Sequence, residues 1–303
     1  MSRLRPPAPL LGLITGVLVL LHLLGVFFFL FLPFALLKLL VPLPAIQRWS
    51  ELRMMDVGTW WGRSLRGLVF VLHGTRWQVR GRKHLKTGDN YLLICNHQSW
   101  ADIPVLAAVL AGKAAFPRFF VKAELIWVPV IGFACWAFGF PFMRRHSRAA
   151  VAADPSLAGI DLETTRAACH RFRSLPLTMV NFVEGTRGTE AKRRRQNSPY
   201  RHLLRPKSGG LALALNALDG ALDGIVDVTI IYPPGLNAHL WNFLCGRLDP
   251  VHVRLEHLAI PPAIARGDYQ QDPVYRQAVQ RWLNERWALK DETIRAGQKA
   301  AAA

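Results

Sequence analysis

The chain is poor in acidic residues. Its 303 residues carry 20 Asp and Glu against 38 Lys and Arg, a formal net charge of +18. That imbalance fits a simple soluble enzyme poorly and points to an anionic partner, either nucleic acid or an anionic membrane. Cysteine is also scarce. The four, at 95, 135, 169 and 245, stand far apart with no Cys-x-x-Cys pair, which leaves a disulfide framework or a zinc site without support. Four free thiols suit a reducing compartment. His252 and His257 have no metal-ligand partners at useful spacing and read as strand or surface residues, so no metal site is expected. Walker and Gly-x-Gly-x-x-Gly loops are missing, and with them a nucleotide cofactor. The Gly-x-Ser-x-Gly elbow is missing too, which removes the activated serine that a lipid-ester hydrolase normally needs. A membrane-tethered nucleic-acid binder is allowed by charge, but no helix-turn-helix, finger or aromatic RNA-binding pattern accompanies it.

Apolar residues are not lacking. They make up 51% of the chain, too many for a disordered polycation, and the length allows one or two domains with an ample core. Residues 10–32 hold no formally charged side chain, and only Thr15 and His22 are clearly polar. As a helix at about 1.5 Å per residue this run spans roughly 35 Å, enough for a bilayer core of about 30 Å. It exceeds the apolar core of a signal peptide, and the bulky Phe27–Phe31 run offers no small-x-small cleavage site. A retained membrane helix is expected. After Pro33 a shorter apolar stretch, 34–46, is broken by Lys38, Pro42 and Pro44, and reads as the return arm of a hairpin dipping into one leaflet. Over 47–73, Met54, Val57, Trp61, Leu65, Leu68, Val69 and Leu72 recur at spacings of three and four, with Arg53, Asp56, Arg63 and Arg66 opposite. That is an amphipathic helix, packed either on the following domain or in the headgroup region.

From residue 77 the pattern becomes α/β. Strands are expected at 77–80, 91–95, 118–121, 140–143, 177–183, 225–232 and 251–255, and helices at 102–111, 162–174 and 208–218. Asp272-Pro273 reads as an N-cap followed by Pro at the first helical position of a last helix, running to about 294 before a fraying tail. The expected fold is α/β, a mixed central sheet flanked by helices and preceded by a membrane helix or helical hairpin. It divides into a membrane-embedded segment (1–46), an interfacial helix (47–74), a catalytic domain (75–265) and a C-terminal helix with its tail (266–303).

Two segments carry chemistry. The strand 91–95 runs into Asn96-His97-Gln98-Ser99-Trp100-Ala101-Asp102. Catalytic groups of open α/β sheets gather past the carboxyl ends of strands, and histidine is suited to act as a base near neutral pH. Ser99-x-x-Asp102 resembles a capping box that would start a helix and aim the carboxylate back at the loop. A plainer reading makes Asp102 a helix cap and His97 a loop residue. The strand at 177–183 leads into Glu184-Gly185-Thr186-Arg187, where glycine permits a tight turn and arginine offers a planar, always charged donor for a phosphate. Glu184 could form an incidental ion pair with Arg187. Basic residues flank the apolar runs between them, at Lys122 and at Arg144-Arg145, and Lys192 to Arg195 with Arg201, Arg205 and Lys207 form a further cluster. That cluster reads as a solvated face, or as a surface for anionic lipid, coenzyme A phosphates or an acidic carrier protein.

In this order the segments resemble the 1-acylglycerol-3-phosphate acyltransferase (PlsC-like) family of glycerophospholipid acyltransferases, over roughly residues 75–260. Asn96-His97 with Asp102 looks like the family's Asn-His-x4-Asp motif, Lys122 through Arg144 its second block, Glu184-Gly185-Thr186-Arg187 its third and Tyr232-Pro233-Pro234 its fourth. Pro234 departs from the more usual Val or Gly. Ser198 to Leu204 followed by Pro206-Lys207-Ser208-Gly209-Gly210 is similar to a bacterial inner-membrane branch and to some lysocardiolipin acyltransferases. The resemblance implies acyl transfer from acyl-CoA or acyl carrier protein, as substrate rather than cofactor, to a lysophospholipid hydroxyl. His97 would be the general base with Asp102 behind it, and Arg187, Glu184, Gly185, Thr186, Arg144 and Lys122 would surround the substrate phosphate. It further implies a bacterial inner-membrane site facing the cytoplasm, with a phospholipid membrane as partner and no nucleic acid.

Overall fold

Six strands form the central sheet of this computed structural model, in the order β1-β8-β7-β2-β6-β3. They are β1 (Trp77–Arg80), β2 (Tyr91–Cys95), β3 (Pro117–Phe119), β6 (Thr178–Asn181), β7 (Gly224–Ile231) and β8 (Val251–Leu258). The strands β7, β2, β6 and β3 run parallel, whereas β8 is antiparallel to β7 and carries β1 parallel to itself at the edge. The structure describes residues 7–144, 175–218, 220–235 and 238–302, with 160, 163, 164 and 167 between them.

A strand between parallel neighbours is covered on both faces, so it needs an apolar residue at every position. β2 meets that demand. Tyr91, Leu93 and Cys95 pack towards the helices α3 (Pro44–His73) and α4 (Asp102–Leu110). Leu92 and Ile94 enter the opposite core, which holds Leu211 and Leu215 of Ser208–Leu218 and Leu283, Trp287 and Ile294 of Pro273–Ala302. Each such aliphatic side chain contributes about 1.5–3 kcal/mol by leaving water. The expected strand at 118–121 divides in two. β3 joins the main sheet, while β4 (Val121–Lys122) pairs with β5 (Phe142–Met143) in a small sheet of its own.

The N-terminal helix does not stop at Pro33. Helical structure runs without interruption from Ala8 to Leu40 through α1 (Ala8–Gly25), a π-helical stretch Val26–Phe31 and α2 (Leu32–Leu40). Pro33 stands in the first turn of α2, directly after the π-helical stretch. The chain reverses at 41–43 instead, and α3 returns alongside, tied by Lys38 to Glu51 at 2.6 Å and by His22 to Ser64 at 2.9 Å. The hairpin therefore pairs 8–40 with 44–73, and the expected return arm 34–46 is shared between its two helices. Of the apolar face expected on 47–73, Met54, Leu65 and Val69 are buried. The helix approaches α4 closely at Gly62, where a Cβ would stand 2.8 Å from the Ala107 backbone. Trp49, Trp60, Phe70 and Val71 face outward.

Among the described residues, α5 (Ile131–Ala137), α6 (Glu190–Arg195) and then α7 (Ser208–Leu218) follow α4. Past β7 come α8 (Leu240–Leu244), α9 (Pro262–Ala265) and α10 (Pro273–Ala302). The expected helix 162–174, Arg145 and Cys169 lie outside the described residues, apart from helical positions 163, 164 and 167. Asp272 caps α10 as its sequence suggests, accepting the N–H groups of Val274 and Tyr275. The helix does not end near 294 but continues to Ala302. Its last turns are alanine-rich, and Gly297 packs against Ile231. On the sheet side Lys290 donates to Asp227, to the Val228 carbonyl at 2.6 Å and to Thr229 at 3.2 Å. Arg286 bridges Asp227 and Glu256. Cys95, Cys135 and Cys245 are buried free thiols.

Candidate active site

The carboxyl ends of β2, β6 and β7 meet at one edge of the sheet, and the loop after β2 is fastened there by Asn96. Its side chain exchanges two hydrogen bonds of 2.9 Å with the backbone of Ile230 on β7. That anchor fixes the peptide before His97. Asp102, at the start of α4, is fully buried. Its Oδ2 accepts from His97 Nδ1 at 2.8 Å and from the backbone N–H groups of Gln98 at 2.7 Å and Ser99 at 2.8 Å. Ser99 Oγ in turn accepts from Ala101 N–H at 3.0 Å. Asp102 thus aims back at the loop, as the capping-box pattern suggests, and is the partner of His97, while α4 itself starts after Ala101 without a side-chain cap. With Nδ1 engaged as donor, Nε2 of the neutral ring is left as the proton acceptor. The ring lies flat on Phe182, centroids 4.0 Å apart, and Phe182 stacks on Phe119.

The loop after β6 closes onto this one. Gly185 takes a left-handed φ of 69°, and the turn sends the neighbouring side chains in opposite directions. Glu184 goes inward and is 1% exposed, and the nearby backbone N–H groups of Leu204 and His97 only partly offset the cost of burying its charge. Burial, reinforced by the charge of Asp102, pushes its carboxyl well above the usual carboxylate range. Glu184 is expected around the substrate phosphate; the structure places its side chain in the interior, whereas Arg187 is exposed. Arg187 faces outward, its guanidinium 5.2 Å above the Trp100 ring. Gly188 N–H donates to the His97 carbonyl at 2.7 Å. Thr186 Oγ1 and the Arg187 carbonyl accept from Lys192 Nζ at 2.7 and 3.0 Å, and the Lys207 side chain lies against Gly185.

His97, Asp102, Glu184, Gly185, Thr186 and Arg187 are thus brought together. Lys122 and Arg144 are exposed in the neighbouring small sheet, where Lys122 pairs in register with Met143, next to Arg144. Phe182, Trp100 and Lys192 belong to the site without having been singled out for it. Tyr232 joins the site from the residue directly after β7. Its hydroxyl donates to Asp102 Oδ1 at 2.7 Å. Among the described residues no group of three His, Cys, Asp or Glu is arranged to hold a metal ion.

A histidine backed by a buried carboxylate, beside a loop that carries an exposed arginine, is an arrangement chemically able to move a proton next to an anionic group. The family follows from comparison. The chain belongs to the Acyltransferase family, whose model matches residues 76–233, a span that contains every site residue described above. Mouse 1-acyl-sn-glycerol-3-phosphate acyltransferase epsilon is 24% identical over 236 residues, which cover 69% of this chain and 58% of the relative. Mouse lysocardiolipin acyltransferase 1 is 26% identical over 260 residues, covering 82% of this chain and 64% of the relative. The chain so spans less than two thirds of the length of either. The crystal structure of PlsC, the 1-acyl-sn-glycerophosphate acyltransferase of Thermotoga maritima, shares the fold with a TM-score of 0.52 at 18% identity, covering 91% of this chain and 94% of that one.

Proposed function

We propose that the protein transfers a fatty acyl group from a thioester, acyl-CoA or acyl carrier protein, to the free hydroxyl of a lysophospholipid. The reading rests above all on His97 Nδ1 donating to a fully buried Asp102 at 2.8 Å. A substrate hydroxyl is a weak nucleophile and needs a base as it attacks. His97 Nε2 accepts its proton while the oxygen bonds to the thioester carbonyl carbon, and Asp102 stabilises the imidazolium that forms. Collapse of the tetrahedral intermediate breaks the C–S bond, and the proton passes to the departing thiolate. No acyl-enzyme is required. Arg187, with Lys122 and Arg144, holds the substrate phosphate, while Gly185 and Thr186 shape the loop and Glu184 positions it from inside.

The preferred acceptor is 1-acylglycerol-3-phosphate, giving phosphatidic acid. Acyl transfer to another lysophospholipid is the second reading, favoured by the lysocardiolipin-named relative aligned over 82% of this chain. The protein works at a phospholipid membrane, which we place at the bacterial inner membrane with the site facing the cytoplasm. The 8–40 helix supports an in-plane seat, because it touches the domain along its length. Gly12 packs on Trp241 and Cys245, Phe27 on Phe133 and Phe31 on Phe138, and Lys38 bonds the Ala137 carbonyl. Its outer side shows Leu13, Leu20, Leu21 and Phe29 to the surroundings. The test is an assay of the purified protein with a panel of lysophospholipids and labelled acyl-CoA or acyl carrier protein. Acylation of 1-acylglycerol-3-phosphate above the other acceptors supports the first reading, and preference for a different headgroup the second.

A further inference from the structure

We propose that Tyr232 is a positioning residue of this site, its hydroxyl bond to Asp102 Oδ1 holding the carboxylate that orients His97. The inference rests on the acid–base reading of His97 and Asp102 given above and adds a third member to it. The bond is 2.7 Å long and joins residues 130 apart in the chain.

The distribution of donors on Asp102 gives the reason. All three donors to Oδ2 come from residues 97–99, in the same loop that Asp102 is meant to steady. The carboxylate of Asp turns about a soft, broad torsion, so one oxygen held by a loop does not fix the plane of the group. Tyr232 supplies the independent hold. It directly follows the central strand β7, is 2% exposed, and sits two residues beyond Ile230, to which Asn96 is clamped. Sheet and loop are thereby joined at Asn96 and again at Asp102. A phenol suits the task because it can only donate to an ionised carboxylate, and here it stays protonated: burial first, then the Asp102 charge, pushes the hydroxyl well above its ordinary range.

Asp102 faces few other charged or titratable groups. From β2 comes the buried Cys95 thiol, and from the loop after β6 comes Glu184. Lys290 of α10 and Asp227 of β7 act at longer reach on the same interior. None of these is a hydroxyl donor on Oδ1. Removing the Tyr232 hydroxyl therefore leaves one oxygen of a fully buried carboxylate without its donor. The anion then keeps more of its charge for His97 and retains the imidazolium proton more strongly, and it gains freedom to turn.

The experiment compares purified full-length wild type, Tyr232→Phe and a protein with a ring-fluorinated tyrosine at 232, which preserves the core and strengthens the donor. The readout is kcat and kcat/KM against pH, with acyl-CoA and the preferred lysophospholipid. For Tyr232→Phe, kcat falls about tenfold or more, the lysophospholipid KM stays within about twofold, and the acidic limb moves to higher pH. The fluorinated protein moves that limb the opposite way. A residue that merely fills the core leaves the limb in place in both variants, and that result overturns the proposal whether or not activity drops. Failure of the underlying reading looks different: His97→Ala then keeps its activity, whereas an inactive His97→Ala with unmoved limbs condemns Tyr232 alone.

Discussion

Gly188 N–H donates to the carbonyl oxygen of His97 at 2.7 Å, and the buried Glu184, four positions earlier, lies on the inner side of the same loop. The peptide after His97 is thus held by the loop that follows β6. Side-chain contact with Asp102 sets the ring, and this backbone contact sets the place from which the ring projects. Such support turns two loops into one rigid site.

Glu184 is buried at a cost that depends on pH. Its carboxyl is raised in the folded protein, whereas in the unfolded chain it ionises near pH ~4.3. Above that pH the folded state binds more protons at this position than the unfolded state, so stability falls as pH rises through the window up to the folded value. Glu184→Gln keeps a carbonyl acceptor and removes the ionisation. Between pH 5 and pH 8 the wild-type melting temperature should fall relative to that of the variant, with other groups cancelling in the difference. Parallel melting curves for the two proteins would contradict the assignment.

Arg187 lies over Trp100 and faces outward, whereas the base proposed above is Nε2 of His97. Its removal should weaken binding of the phosphate more than the chemistry. Charge-assisted hydrogen bonds of this kind carry about 1.5–3 kcal/mol, so Arg187→Ala should raise the lysophospholipid KM about tenfold or more while leaving the KM of the acyl donor nearly unchanged. Steady-state kinetics with each substrate varied in turn decides. Equal rises in both would point to a structural role.

Lys290 has no exposed side-chain surface and meets an almost equally buried Asp227. Breaking a buried pair costs about 3–5 kcal/mol because the remaining charge is stranded. Here Arg286 still reaches Asp227, so Lys290→Met should cost about 3 kcal/mol, the lower end of that range. Replacing Asp227 and Lys290 together by apolar residues of similar size should recover part of the loss. Denaturant titration of the single and double variants measures both, and a single-variant loss below about 1 kcal/mol would contradict the view that this network fastens α10 to the sheet.

Much of this architecture is legible in the sequence because burial on both faces demands apolar runs, which β2 displays unbroken and β7 displays around Asp227 and Thr229. His97 with Asp102, and Gly185 with Arg187, are likewise visible as polar groups placed directly after such runs. What stays hidden is pairing across the fold. Tyr232 meets Asp102 only because β7 lies beside β2 in this strand order and register, and a linear pattern states neither. The inward turn of Glu184 depends on the left-handed backbone of Gly185. The N-terminal helix passes through Pro33 directly after a π-helical stretch.

The central claim is that His97 is the base for acyl transfer to a lysophospholipid. The direct test is the rate at which purified protein moves labelled acyl groups from acyl-CoA or acyl carrier protein to its preferred lysophospholipid, wild type beside His97→Ala, at matched membrane association. The account predicts a loss of about 10²–10⁴-fold in kcat for the variant, the usual contribution of a positioned general base. Full activity in His97→Ala would contradict it.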